Sequence, residues 1–365
     1  MPTTRTFSKA FSAGELSPEM FGRIDDAKYQ QGAATMRNFI AKPQGPAENR
    51  PGFAFVNEVK DSTKATRLLS FTFNTVQTMV IEMGNQYFRF HTQGQTLQYL
   101  NGSAWSGATN YAVGDIALYN GVNYYAKTAH SNSQPPNATN WYPMPTNPNI
   151  YEIPSPYLEA ELFDLHYVQS ADVVTLVHPN HAPRELRRLG ATKWEVLVIN
   201  FGSPIAAPSN VSVAAYIPAS TSTNTDTFFT HNYVVTAIAT NLVDESAQSS
   251  AASVNNNIFV SGAKNTITWN AVTGASRYRV YKDQGGIFGF IGETTTTTII
   301  DNNIAPDFTV TPPIYENDFV GTGNYPGAVS YFEQRRVFAG PNNFPQSIWM
   351  TKSGTESNMS FGLPI

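Results

Sequence analysis

The chain has 365 residues, a formal net charge of −4, only 14% charged residues, 25 glycines, 24 prolines and no cysteine. The lack of cysteine excludes disulfides and thiolate zinc sites. The densest cationic cluster is Arg184, Arg187 and Arg188, which is too little for a protein that grips nucleic acid through its phosphates.

At roughly 150 residues per domain, the length allows about two or three domains. The aromatic, turn-rich composition predicts a mainly β fold rather than a helical bundle. No stretch is apolar for about 18 residues, so no membrane span is expected. The N-terminal MPTTRTFSKAFSAGELSPEM has no apolar core of a secretory signal.

Residues 1–60 read as an N-terminal arm with one helix. The helix is expected over 25–40, with Asp25 as N-cap and Ala27, Ala33, Ala34 and Met36 as helix formers. It should stop before Pro43, where AKPQGPAENRPGFAFV predicts a loop leading into a strand. FSAGELSPEMFG carries phenylalanines and Leu16 with little periodicity, so this arm is expected to contact other subunits.

Residues 61–100 form the first part of a platform. LLSFTFN, TVQTMVIEM and YFRFHT are short β-branched or aromatic runs of a meander. Residues 147–205 continue it. YLEAELFDLHYVQSADVVTLVHP starts with a helical look, then VVTLV reads as a buried strand, and KWEVLVIN as another. Residues 315–365 complete it with NYPGAVSYFEQRRVFAG and QSIWMTKSGTESNMSFGLPI. Repeated meanders suggest a multi-strand, propeller-like platform. Residues 101–146 and 206–314, bounded by Pro, Gly and Asn clusters, read as two inserted small β-modules.

Three stretches carry a family resemblance: FSAGELSPEMFGRIDDAKYQQGAATMRNFIAKPQGPAENRPGFAFV, YVQSADVVTLVHPNHAPRELRRLGATKWEV and NYPGAVSYFEQRRVFAGPNNFPQSIWMTKSGTESNMSF. Together they resemble the nozzle, or tail tubular, proteins of short-tailed phages. The resemblance implies a virion structural protein assembled in the host cytoplasm, and not an enzyme. It implies a homohexameric ring around the DNA exit channel, which DNA traverses only in passing. The implied neighbours are the portal and adaptor proteins and the tail fibres, with no cofactor. Family members extend further, so the chain is expected to continue in a longer protein. The alternative is a tail adhesin that binds host-surface glycan.

WSGATNYAVGDIALYNGVNYYAKTAHSNSQPPNATNWYPM resembles the small β-module of chitinases, through Tyr111, Gly114, Asp115, Tyr119, Gly121, Tyr124, Pro135, Pro136 and Trp141. The aromatic pair that follows the Tyr–x–Ala strand in those modules is replaced here by Lys127, Thr128, Ala129 and His130. Tyr111, Tyr119, Tyr124 and Trp141 read first as the core of a small module. Tyr125 and Tyr142 alternate away from that core and are the candidate contacts to glycan or to a neighbouring virion protein. With a core of its own, this insert is expected to fold without the platform, face outward and be dispensable for ring assembly.

TITWNAVTGASRYRVYKDQGGIFGFIGETTTTTIIDNNIAPD, with Trp269, Tyr278, Val280 and Tyr281, resembles the middle of a fibronectin type III domain. YVVTAIATNLVDESAQSSAAS resembles its final hairpin but comes earlier in the chain. The module is therefore either permuted or built from halves of two repeats.

No catalytic constellation emerges. His166, His178 and His181 suggest a metal, but Pro179 and Pro183 forbid a regular helix presenting the last two. The nearest carboxylates, Asp164 and Asp172, lack ligand spacing, so no metal site is expected. Asp25/Asp26 and Glu159/Glu161 form no pair suited to glycoside hydrolysis. Gly285, Gly286 and Gly289 belong to a hairpin rather than a phosphate loop. Arg335 and Arg336 should point to opposite faces of a strand, one of them toward a carboxylate at a subunit contact.

Overall fold

Alternating side chains, not helical stripes, organise this chain, and the fold is mainly β. The computed structural model describes residues 8–74, 78–218 and 228–363. Expectations falling on 1–7, 75–77 (the start of TVQTMVIEM), 219–227 and 364–365 lie outside the described residues. The chain divides into two units, residues 1–57 and 58–365. Among the described residues no helix is long and apolar enough to cross a membrane.

In the first unit, β1 (Gly14–Glu15) pairs in parallel with β2 (Gly32–Ala33), and β3 (Phe39–Ala41) forms a hairpin with β4 (Ala47–Asn49). The expected helix over 25–40 is absent. Its place holds a 3-10 turn at Tyr29–Gln31, then β2 and β3. Asp26 does accept a backbone N–H, from Lys28 at 2.8 Å, but this closes a turn rather than capping a helix. An isolated helix is marginal without an apolar face to bury, and this segment has alanines but no such stripe. A Cβ on Gly32 would also meet Leu16 Cγ at 2.4 Å, so the close approach to β1 needs glycine. FAFV is not a strand in the structure; residues 50–59 are irregular.

The second unit opens with β5 (Arg67–Thr72), β6 (Thr78–Gly84), β7 (Tyr87–Thr92) and the short β8 (Gln95–Thr96), the expected meander. Leu69, Phe71, Met79, Ile81, Met83, Phe88 and Phe90 alternate onto one buried face. The first insert follows with β9 (Ser103–Ala104), β10 (Asn110–Tyr111), β11 (Ile116–Tyr119), β12 (Val122–Ala126), β13 (His130–Ser131) and β14 (Trp141–Pro143). Its main sheet runs β14-β12-β11-β9. Tyr111, Tyr124 and Trp141 form its core with Tyr119 packed against them, as the alternation predicted. The chain then returns at β15 (Glu152–Pro154), which pairs with β7.

A second meander comprises β16 (His166–Ser170), β17 (Val173–His178), β18 (His181–Gly190) and β19 (Lys193–Val198). The helical look of YLEAELFDL shrinks to a 3-10 turn at Glu159–Glu161, while VVTLV is the buried strand expected. Val174, Leu176, Leu186 and Trp194 face the first meander across one core. Val177 points the other way, into a second core with Ile199, Phe201, Phe319 and Phe338. Burial on both faces explains why β17 is apolar at consecutive positions rather than alternating.

The second insert contains β20 (Ser212–Tyr216), β21 (Phe229–Ala239), β22 (Ala252–Asn256), β23 (Lys264–Thr268), β24 (Ala275–Gln284), β25 (Ile287–Thr294) and β26 (Thr298–Asp301). Two sheets, β20-β23-β26 and β22-β21-β24-β25, close over Tyr233, Val235, Ile267, Trp269, Tyr278 and Val280. The hairpin β21–β22, which resembles a final hairpin, pairs through β21 with β24 of the later segment. The two resembling segments therefore share one sandwich and one core. Gly285 and Gly286, at φ +70° and +88°, turn the β24–β25 hairpin as expected.

The last sheet is β27 (Ala328–Phe332), β28 (Arg335–Ala339) and β29 (Ile348–Met350). Phe338 joins the second core beneath β17. The three framework meanders thus lie in one unit and share cores in chain order, the first with the second and the second with the third. No barrel closes among the described residues.

The central contact of this stack is Trp194. Its indole lies 4.3 Å from the Phe90 ring at 28° and 4.9 Å from Phe71 at 65°. Replacing a buried tryptophan with alanine costs about 3–5 kcal/mol. Trp194→Ala should lower the urea midpoint accordingly and loosen both the first insert and the first meander, readable as faster amide exchange in β7 and β12.

Candidate functional site

The two tyrosines singled out by alternation do leave the insert's own core, but neither is presented to solvent as a free ring. Tyr125 is 2% exposed and donates its hydroxyl to the backbone carbonyl of Trp194 at 2.8 Å. Tyr151 accepts the Trp194 backbone N–H at 2.8 Å. β19 is an edge strand, so its outward backbone groups lack a neighbouring strand, and two tyrosine hydroxyls satisfy them. Burial pushes the Tyr125 phenol well above its usual range. Gly114, at φ +89°, brings the insert's turn so close that a Cβ would sit 3.3 Å from the Trp194 carbonyl oxygen, and Lys193 pairs with Asp115 at 2.7 Å.

The expected exposure of Tyr125 is not found: the insert has the core of its own that alternation predicted, and its other face is packed. A small sheet has two faces; the insert's second face, with Tyr125, Met144, Ile116 and Tyr142, belongs to the platform core. No aromatic ring of residues 101–146 is among the exposed large hydrophobics, and sugar stacking needs such rings.

Tyr142 is half-buried and hydrogen-bonds Glu152. Glu152 is fully buried and held by Arg89 Nε at 2.8 Å and Lys60 Nζ at 2.6 Å. Glu152 and Arg89 are register partners on the reverse face of the first sheet. On the same face Glu82 accepts from Tyr87 at 2.7 Å and contacts His91 Nε2 at 2.9 Å. Burial works to raise the Glu82 pKa, but His91, Tyr87 and Arg89 outweigh it and hold the group below its usual range. Burial and the neighbouring Glu152 carboxylate push the Tyr142 phenol up. These are satisfied structural ions, with no nucleophile poised beside a base.

Arg335 and Arg336 do diverge, but Arg336 pairs within its own chain rather than at a subunit contact. It is 1% exposed and binds Glu185 at 2.6 Å and Glu356 at 2.5 Å. Glu185 also binds Arg187 Nε at 2.6 Å, and these partners hold its pKa down against burial. The basic cluster is thereby largely neutralised: Arg187 pairs with Glu185 and Glu195, and Arg188 with Asp172 while lying over the Phe73 ring. Little of it remains for phosphates.

The first unit carries a groove of about 850 Å³ lined by Phe11, Met36, Phe39 and Pro46 among others. Phe11, Phe21, Ile24, Phe39, Ile40, Phe53, Phe55 and Val56 stay exposed, and no apolar side chain of residues 8–57 is counted in a buried core.

One grouping was missed by the sequence reading. His178 and His181 meet Glu161, with one ligand-type atom of each within 4.8 Å of the others. His166 is exposed at the start of β16 and takes no part. Asp164 and Asp172 were the obvious carboxylates by proximity. Nothing in the spacing marks Glu161, because an irregular turn delivers it.

No protein-family model matches this chain, and no curated protein does.

Two outcomes follow from the buried polar groups. Tyr125→Phe removes one hydrogen bond and leaves the Trp194 carbonyl unsatisfied, costing about 1–3 kcal/mol, measured by urea unfolding. Glu82 and Glu185 have folded pKa values below the unfolded one. Their contribution is complete above the unfolded value of roughly 4.3 and is lost as pH falls through the folded values. Stability should thus decline on acidification below about pH 5, and Glu82→Gln/Glu185→Gln should be less stable at neutral pH with a shallower acid decline.

Proposed function

We propose that this chain is a structural protein of a phage tail, a nozzle or hub component that assembles into a ring around the DNA exit channel. Portal, adaptor and tail-fibre proteins are its neighbours, DNA only passes through, and the chain performs no catalysis. The reading begins from the three resembling stretches, which bracket both inserts. The observation that carries it is the first unit: residues 8–57 contain the first of those stretches and leave Phe53 87% and Phe55 79% exposed. An apolar arm without a core of its own gains stability by covering its side chains against another chain. The pairing of Arg187 and Arg188 with carboxylates suits a wall past which DNA slides without sticking. The adhesin alternative needs flat rings in solvent, and the first insert keeps its rings packed.

The test uses the purified full chain, alone and with portal–adaptor complex, viewed by electron microscopy and weighed by light scattering. Rings are expected. Phe53→Asp/Phe55→Asp should leave the free energy of urea unfolding within about 0.5 kcal/mol, as for surface substitutions, while abolishing assembly. Wild-type protein that remains monomeric under both conditions, or a charged variant that assembles normally, would sink the reading.

A further inference from the structure

The tip of the β17–β18 hairpin brings together three side chains from two parts of the sequence. His178 ends β17, His181 begins β18, and the two are register partners across the Pro179–Asn180 turn. Cross-strand partners project to the same side, and their ring centroids are 5.4 Å apart. The turn Glu159–Glu161 delivers the third group: His181 Nε2 lies 2.8 Å from Glu161 Oε2. The carboxylate is oriented from outside the cluster by the Leu158 N–H at 2.8 Å and by Asn180 Nδ2 at 3.4 Å. Tyr157 closes the inner side, its ring edge-on to His181 at 5.0 Å. It is fully buried, and its hydroxyl has no hydrogen-bond partner. His178 is buried, with Nδ1 accepting the Asn180 N–H at 3.1 Å, while His181 and Glu161 retain partial solvent access.

We propose that Glu161, His178 and His181 bind a divalent transition-metal ion of the zinc class, which clips the hairpin tip to the turn at 159–161. Two imidazoles and one carboxylate make a three-ligand zinc set with a fourth position open to water. The mixed nitrogen and oxygen donors favour zinc, cobalt, nickel or copper over magnesium and calcium, which prefer oxygen alone. Around a tetrahedral ion with bonds of about 2.0–2.2 Å, donors stand roughly 3.4 Å apart. The three atoms, within 4.8 Å of one another, reach that spacing by small rotations of the two partly exposed side chains. On binding, the ion replaces the hydrogen between His181 Nε2 and Glu161 Oε2, and the neutral His181 ring carries its proton on Nδ1; at His178 the Asn180 N–H contact to Nδ1 gives way, either because Nδ1 takes the ion or because the ring proton moves there from Nε2 to free that nitrogen. The Leu158 and Asn180 contacts act as the outer partners that hold a ligating carboxylate in place.

The test strips the full chain with a chelator and titrates it with Zn²⁺, and separately with Co²⁺, by calorimetry and visible absorption. The expected result is one ion per chain, intense four-coordinate Co²⁺ bands that Zn²⁺ displaces, and a higher melting temperature with Zn²⁺. His181→Ala should retain the fold by circular dichroism and lose at least the roughly 100-fold in affinity that even an outer partner can cost. Glu161→Gln preserves size and should also weaken binding. His178 is buried, so His178→Ala is read only alongside these two. Absence of stoichiometric Zn²⁺ uptake by the wild type overturns the proposal, as does uptake unchanged in both His181→Ala and Glu161→Gln.

Discussion

Burial of the Trp194 side chain and satisfaction of its backbone hold three sequence-distant pieces in one arrangement. The indole stacks on Phe90 and Phe71 of the first meander. The peptide groups on either side of it are bonded by Tyr151, next to β15, and by Tyr125 of the first insert. An edge strand with bare polar groups inside a core would cost free energy at each unpaired group. The tyrosines remove that cost only if insert, β15 and second meander are all in place. The insert is consequently part of the platform's packing, although its chain ends lie at turns, as an added module's would.

The reverse faces follow a second rule. Where the first sheet turns its non-core face inward, charges are buried in compensated groups, Glu152 with Arg89 and Lys60 and Glu82 with His91 and Tyr87, and a third group, Arg336 with Glu185 and Glu356, lies on the Phe338 face of β28. Such groups add little net stability, but removing one partner strands a buried charge. They fix which surfaces can meet. Arg336–Glu185 sets the third meander against the second, and a shift of one residue in β28 would point Arg336 away from its carboxylate.

The inserts differ in how they attach. The sandwich of residues 206–314 closes its own core between two sheets, with Ile205 of the platform packed against it, and is further linked to the platform by polar contacts such as Asn358 to Asp244 at 2.8 Å. The first insert divides its aromatics between a core of its own and the platform's. This difference tracks size: a module of about 45 residues has two faces and too little chain to cover both.

The sequence by itself determined the class and the strands of the framework meanders. Period-two patterning in LLSFTF and YFRFHT, the apolar run VVTLV and the hairpin glycines at 285 and 286 are local signals, set by side-chain direction and backbone freedom. It also determined that Tyr111, Tyr119, Tyr124 and Trp141 cluster and that Tyr125 and Tyr142 face the other way. Only tertiary structure decided what lies on that other side, because alternation assigns a face and not its neighbour. The same limit explains the segment 25–40, where propensity favoured a helix but pairing with β1 and the contact of Gly32 with Leu16 decided otherwise. It explains the sandwich of the second insert, whose two segments are joined by the pairing of β21 with β24. It explains Glu161 as well: a carboxylate 17 and 20 residues from His178 and His181 reaches them through a folded turn, and no sequence periodicity encodes that path.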